Sequence, residues 1–227
     1  KSHINSVLSY KDAEIAALCD INEQLAKSRA KMVEEKQGKE CAVYTSYDEM
    51  LEKVSLDAVF IATPHYLHAP MTIKAAKQEI HVFVEKPMAM NLHECDQMIM
   101  ECRKMDVKLA VGMQHHFEPE FKYMKQAVEG KEGEKGSLGQ ITDIYMVARH
   151  HRGEMYYLAS SPVDPETGVA PGPWRGRWDT EGGGPLSNQA IHNLDIFRYI
   201  SGPIRSLTAY GKNLSPEHKF VEVEDTI

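Results

Sequence analysis

The chain has 227 residues, room for one large domain or two small ones, and its 42% hydrophobic and 26% charged content is ordinary for a globular protein. A formal net charge of −7 with no basic cluster excludes a generic nucleic-acid surface, and no apolar run approaches the roughly 20 residues of a membrane span. The N-terminal KSHINSVLSYKDAE lacks the apolar core of a secretion signal, and the scattered Cys19, Cys41, Cys95 and Cys102 read as free thiols in a reducing cytoplasm.

In chain order, the first half alternates strand and helix patterns. EIAALC (14–19) is a short apolar run ending in Asp20, and INEQLAKSRAKMVEEK reads as a helix. CAVYT is a second strand and Tyr47 to Lys53 a short helix. DAVFIAT (57–63) is an unbroken apolar strand of the kind buried on both faces of a parallel sheet, stopped by Pro64. A helix over about 67–77 leads to the strand His81 to Val84. Asn91 with Glu94 three residues on is a capping pattern for the next helix, followed by the strand KLAVGM (108–113). This repeated order predicts a Rossmann-type doubly wound parallel sheet with ligands at the carboxyl ends of its strands.

After Gln114 the pattern changes. A helix over about 118–128, a longer alternating strand ITDIYMVAR (141–149), an irregular stretch over 150–180, a helix from Gly182 to Ile200 and two terminal strand-like runs predict a second α+β domain. Its sheet is expected to be large, open and mostly antiparallel. The division falls as 1–116 and 117–227. No GxGxxG occurs, and Lys1 reads as lying inside the helix that would follow a phosphate loop. The sequence therefore reads as part of a longer chain, and a 227-residue form lacking a phosphate loop is expected to bind NAD poorly.

Several residues are candidates for chemistry. Asp20, at the end of a strand, suits either an adenosine ribose or a helix N-cap, and the lack of an Arg directly after it favours NAD over NADP. ATPHYLHAP (62–70) lets backbone approach a flat dinucleotide, with His65 and His68 as either ligands or plain loop residues. Lys86, between Glu85 and Pro87, is either a strand-end lysine paired with Glu85 or a proton-transfer group, and a cis Lys86–Pro87 bond would aim it over the sheet edge. Asn188, His192 and Asp195 lie four and three apart, so they are expected to stack on one helix face. WRGRW (174–178) either clamps a sugar through Trp174 or is a loop pinned by two tryptophans. Adjacent histidines point apart, so His115, His116, His150 and His151 make no metal site.

In order and type, ALCD, ATPHYLHAP, EKPMAMN, VGMQHHFEPEF and GGGPLSNQAIHNLD resemble the glucose-fructose oxidoreductase / inositol dehydrogenase (Gfo/Idh/MocA) family across essentially the whole chain. The resemblance implies an NAD-dependent oxidoreductase exchanging a hydride with a secondary alcohol or ketone of a sugar, inositol or sugar derivative. It implies Lys86 and His192 as catalytic residues, with Asp20, Thr63, Pro64, His65, His68, Glu85 and Lys86 at the cofactor. Gln114, Arg149, Trp174, Asn188 and His192 would face the substrate, Asn188 standing where many members have Asp. It further implies a homo-oligomer formed through the C-terminal sheet. An NAD-dependent glycosidase and a non-catalytic dinucleotide-binding regulator are the alternatives.

Overall fold

A computed structural model describes residues 2–130, 135–149, 152–159, 173–216 and 218–226. Five short parallel strands carry the first half. β1 (Ala17–Cys19) pairs with β2 (Ala42–Tyr44), Ala17 opposite Ala42. β3 (Ala58–Ile61), β4 (His81–Val84) and β5 (Leu109–Val111) form a second ladder in that order, with Phe60 opposite Phe83 and Phe83 opposite Ala110. Parallel neighbours need crossovers, which are supplied by α2 (Glu23–Gln37), α3 (Tyr47–Lys53), α4 (His68–Lys77) and α5 (Leu92–Lys104). Within each ladder the carboxyl ends of the strands therefore lie on one side.

Val84, Val82 and Ile61 are at most 3% exposed, but β3 is not buried on both faces as its apolar run suggested: its residues alternate, and Phe60 is 51% exposed on the face that the described helices leave largely uncovered. Ala75 and Ala76 of α4 are fully buried, small enough for close packing, and α5 adds the fully buried Met98. The single expected sheet is divided in two, because β1 and β3 share no ladder and no described strand lies between them. Near that gap α1 (Ser2–Val7) sets the His3 ring 6.0 Å from Phe60 and 5.6 Å from Phe83.

Helix starts follow local chemistry. Asn91 Oδ1 accepts from Glu94 N at 2.9 Å, while Glu94 accepts from Met90 N at 3.1 Å, one residue before the position a capping box specifies. Asn22, not Asp20, caps α2, its Oδ1 accepting from Leu25 N at 2.9 Å.

The helices of the second half are α6 (Pro119–Glu129), α7 (Glu154–Leu158), α8 (Pro185–Asn188) and α9 (Ile191–Ser201), with irregular backbone over 141–149 and most of 202–226. The helix expected over 182–200 is broken in two, since Ala190 N bonds Pro185 O at 2.6 Å and skips a step of the ladder. At its start Gly182 has φ +81°, and a Cβ there would lie 2.7 Å from Met90 Cβ, so only glycine lets this turn approach the loop after β4. The expected strand 141–149 and the large antiparallel sheet do not form among the described residues, whose one antiparallel pairing is the bridge Lys212–Thr226. Alternation alone does not make a strand: without a neighbouring backbone at about 4.8 Å there is no ladder, and Tyr145 stands 89% exposed. Among the described residues no helix is long and apolar enough to cross a membrane.

The fully buried Met98 and the exposed cap Asn91 test this packing separately. Met98→Ala is expected to cost about 3 kcal/mol and Asn91→Ala about 1 kcal/mol in urea unfolding, each moving the midpoint at constant slope. Equal costs would contradict the assignment of Met98 to the core.

Candidate active site

The loop after β4 sets the geometry. The Lys86–Pro87 bond is cis. Glu85 does not take the ammonium: its Oε1 accepts from His3 Nε2 at 2.7 Å and its Oε2 from the Lys86 backbone N at 3.1 Å. The Glu85 carboxylate lies against Gly112, where a Cβ would come within 2.9 Å of Oε2, so a side chain at the end of β5 would displace it. Lys86 Nζ instead crosses to the second half of the chain and donates to Asn188 O at 2.6 Å and Asn188 Oδ1 at 2.9 Å. Burial lowers the Lys86 pKa, opposed by the Glu85 charge and assisted by Arg175.

Asn188, 5% exposed, is oriented by its other end. Its Nδ2 donates to Glu181 Oε1 at 2.5 Å and to Tyr156 Oη at 3.2 Å. Glu181 is 2% exposed, its Oε2 accepts from Gly176 N at 2.5 Å, and burial raises its carboxyl above the ordinary range. An aspartate at 188 would press a second carboxylate onto this buried one, a repulsion that the amide turns into a hydrogen bond. The Asn is therefore matched to Glu181.

His192, on α9, has its Nδ1 buried without a partner and its ring edge-on to His115, centroids 5.0 Å apart. Burial lowers its pKa, with the Lys86 charge the next cause. The break at 189–190 parts Asn188 from the helix that carries His192 and Asp195, and Asp195 Oδ2 accepts from His116 Nε2 at 2.6 Å. His115 goes the other way, to Glu118 Oε1 at 2.7 Å. His150 and His151 lie outside the described residues. Gln114 is exposed and hydrogen-bonds to none of these groups; it opens the 3-10 turn over Gln114–Phe117 that carries His115.

After β3 comes Thr63, then Pro64, the half-exposed start of a 3-10 turn over His65–Leu67. Thr63 Oγ1 donates to Met71 Sδ at 3.6 Å. His65 Nδ1 donates to Glu181 O at 2.9 Å and its ring meets Trp174 edge-on at 4.6 Å. His68 is fully buried, with Nδ1 2.8 Å from Pro87 O and Nε2 2.9 Å from Thr63 O. No ring nitrogen remains for a ligand, so the expected cofactor contact gives way to a bolt between two loops. Asp20 Oδ1 accepts from Asn22 N at 2.8 Å, and its Oδ2 accepts no hydrogen bond among the described residues. The two tryptophans part company: Trp174 lies on His65 and under Arg175, while Trp178 Nε1 is tied to Glu222 O at 3.1 Å.

A cavity of about 540 Å³ opens beside Asn188, lined by Arg149, Arg152, Tyr156, Glu181 and His218 among others. Sequence reading missed Glu181, Tyr156, Arg152 and His115. Only Glu181 carried a signal, a carboxylate directly before three glycines. Among the described residues no cluster of three or more His, Cys, Asp or Glu could hold a metal ion. Two strand ends do suit a dinucleotide: Asp20, after β1, has an oxygen that accepts no hydrogen bond among the described residues, and Thr63 to His65 form a turn directly after β3.

Burial drives the His65 pKa down to about 4. The folded state thus holds neutral imidazole while an unfolded chain protonates near pH 6.5. Stability from this group is fully present above pH 6.5 and is lost as pH falls toward 4, by about 3 kcal/mol. Denaturant unfolding at pH 7 and 4.5 is expected to show a steeper pH loss for wild type than for His65→Gln. Equal losses would refute a neutral buried His65.

Residues 1–113 match the family model described as "Oxidoreductase family, NAD-binding Rossmann fold" and residues 121–227 that of the GFO/IDH/MocA C-terminal domain. Among curated proteins, myo-inositol 2-dehydrogenase of Thermotoga maritima is 32% identical over 88% of this chain and 51% of its own length. A 2,7-anhydro-N-acetylneuraminate hydratase of Mediterraneibacter gnavus is 35% identical over 82% of this chain and 44% of its own. The WlbA dehydrogenase of Bordetella pertussis, solved with NADH and UDP-GlcNAcA, superposes with a TM-score of 0.76 at 28% identity, over 99% of this chain and 61% of that one. The chain spans about half the length of the curated relatives it matches. With both family models matched in order and covering nearly all of its residues, the chain belongs to the Gfo/Idh/MocA family of NAD-binding Rossmann oxidoreductases.

Proposed function

We propose that the protein is an NAD-dependent dehydrogenase acting on a secondary alcohol or ketone of a sugar, inositol or sugar derivative. The observation that carries this is the half-buried Lys86 ammonium, just past the carboxyl end of a parallel strand and held 2.9 Å from Oδ1 of Asn188, a residue that lines the neighbouring cavity. NAD, bound along the strand ends, supplies the hydride acceptor or donor. Asp20 would hold the adenosine ribose through its remaining oxygen, and its charge would disfavour a 2′-phosphate. Thr63, Pro64 and His65 line the cofactor side.

Lys86 moves the hydroxyl proton. Its lowered pKa brings the neutral amine, the form able to accept a proton, closer to working pH. The unpaired Nδ1 of His192 is a hydrogen-bond partner in reserve for the same substrate oxygen or its neighbour. Asn188 keeps Lys86 aimed, Arg149 and Trp174 lie on the substrate side, and Gln114 acts through His115. The two units divide at the Gln114–Phe117 turn, and the exposed apolar residues of 141–149 and 204–210, Tyr145 and Leu207 among them, are the face proposed for self-association.

A second reading keeps the same residues but returns the hydride within one turnover, so that a glycoside is cleaved or water added without net NADH. The name of the hydratase relative favours it. The fit of Asn188 to Glu181 removes one of the reasons for a non-catalytic role.

In a full-length protein, Lys86→Ala is expected to lower kcat/KM on a confirmed substrate by 10²- to 10⁴-fold, with NADH affinity within threefold of wild type. Reduced-cofactor absorbance on a sugar and inositol panel gives the first quantity and calorimetry the second. Wild-type turnover by the variant would refute the role of Lys86. Product formation without net NADH would select the second reading.

A further inference from the structure

The cavity beside Asn188 carries an imbalance of donors over acceptors. Both carboxylates that line it are occupied within the protein. Glu181 accepts from Gly176 N and Asn188 Nδ2. Asp225, its side chain 3% exposed, accepts from Leu214 N at 2.7 Å, Ser215 N at 2.8 Å, His218 Nδ1 at 2.9 Å and Thr226 Oγ1 at 2.9 Å. The cations are not so matched. Arg152 donates from Nη2 to the neutral Gln189 Oε1 at 3.2 Å, while its Nε is buried with no partner among the described residues. Its guanidinium is fixed 5.2 Å from the Tyr156 ring centroid, which Arg175 also approaches at 4.7 Å. Arg149 lines the same space, exposed, with no hydrogen bond or ion pair among the described residues. Tyr156 Oη accepts from both Asn188 and Gln189 amides, so its own proton is left to give.

A neutral sugar would supply hydroxyls but no counter-charge, leaving two guanidiniums at the wall without one; desolvating such groups unpaired is costly, whereas a carboxylate or phosphate suits their fork geometry. Asn188 both lines the cavity and holds Lys86 Nζ, so the cavity adjoins the lysine through that one side chain. We infer that this cavity is a subsite for an anionic group on the substrate, a carboxylate or a phosphate, held by Arg149 and Arg152 while the reacting carbon lies at Lys86. The inference rests on the dehydrogenase reading for where the carbon reacts, but not for the anion's seat.

The test is calorimetric binding to the full-length protein with NADH present, using matched pairs: glucose against glucuronate and glucose 6-phosphate, galactose against galacturonate, inositol against inositol 1-phosphate. In at least one pair the anionic member is expected to bind about 10- to 100-fold tighter, the range of a charge-assisted hydrogen bond. That preference should shrink as salt rises from 0.05 to 0.5 M, as screening of a partly exposed pair requires. The uronate and phosphate arms identify the group. Arg152→Gln, and independently the surface variant Arg149→Gln, should bring the ratio toward one. No preference in any pair, or a preference unchanged in both variants, overturns the subsite. Anion-selective binding without hydride transfer to or from any ligand supports the subsite and removes the dehydrogenase reading instead.

Discussion

The contact on which the site depends is the pair of hydrogen bonds from Lys86 Nζ to Asn188, 102 residues away. It joins the loop after a central parallel strand to the short helix that opens the second half. Without it the ammonium would be the first solvated group after an apolar strand, and Glu85 would be its natural partner. Glu85 is instead engaged by His3 and pressed onto Gly112, which leaves the lysine free to cross.

Burying an ammonium is unfavourable unless its hydrogen bonds are replaced. Asn188 replaces two of them with neutral acceptors, so the lysine stays half-buried with its pKa lowered rather than locked as an ion pair. The amide can do so only because Glu181 and Tyr156 hold its other end. His65 completes the support, donating to the carbonyl of the same Glu181 and meeting Trp174 edge-on. The chain thus spends a buried carboxylate, two histidines and a tyrosine on placing one amine.

Much of the first half was legible in the sequence because its signals are local. Unbroken apolar runs gave β3 and β4, and the Asn91–Glu94 spacing gave the start of α5. EKP and GGG followed by a helical histidine pointed to Lys86 and His192 as parts of one site. Partnerships across the chain were not legible. Nothing around Tyr156 distinguishes it from a core tyrosine, and helical arithmetic put Asp195 beside Asn188 because it cannot see the break at 189–190. His68 looked like a ligand for the same reason that it is a good bolt: an imidazole between two loops meets whatever the loops present, here two carbonyls. The run 141–149 alternates like a strand, yet pairing is supplied by a neighbour and not by the run itself.

The most direct test is a crystal structure of the full-length protein with NADH and a bound sugar ligand. The expected result has a ligand hydroxyl within about 3.2 Å of Lys86 Nζ, hydrogen-bond reach for proton transfer, and Asn188 still accepting from the same ammonium. A ligand whose reacting oxygen sits on another group, with Lys86 bonded only to Asn188, would contradict the assignment of Lys86 as the group that moves the proton.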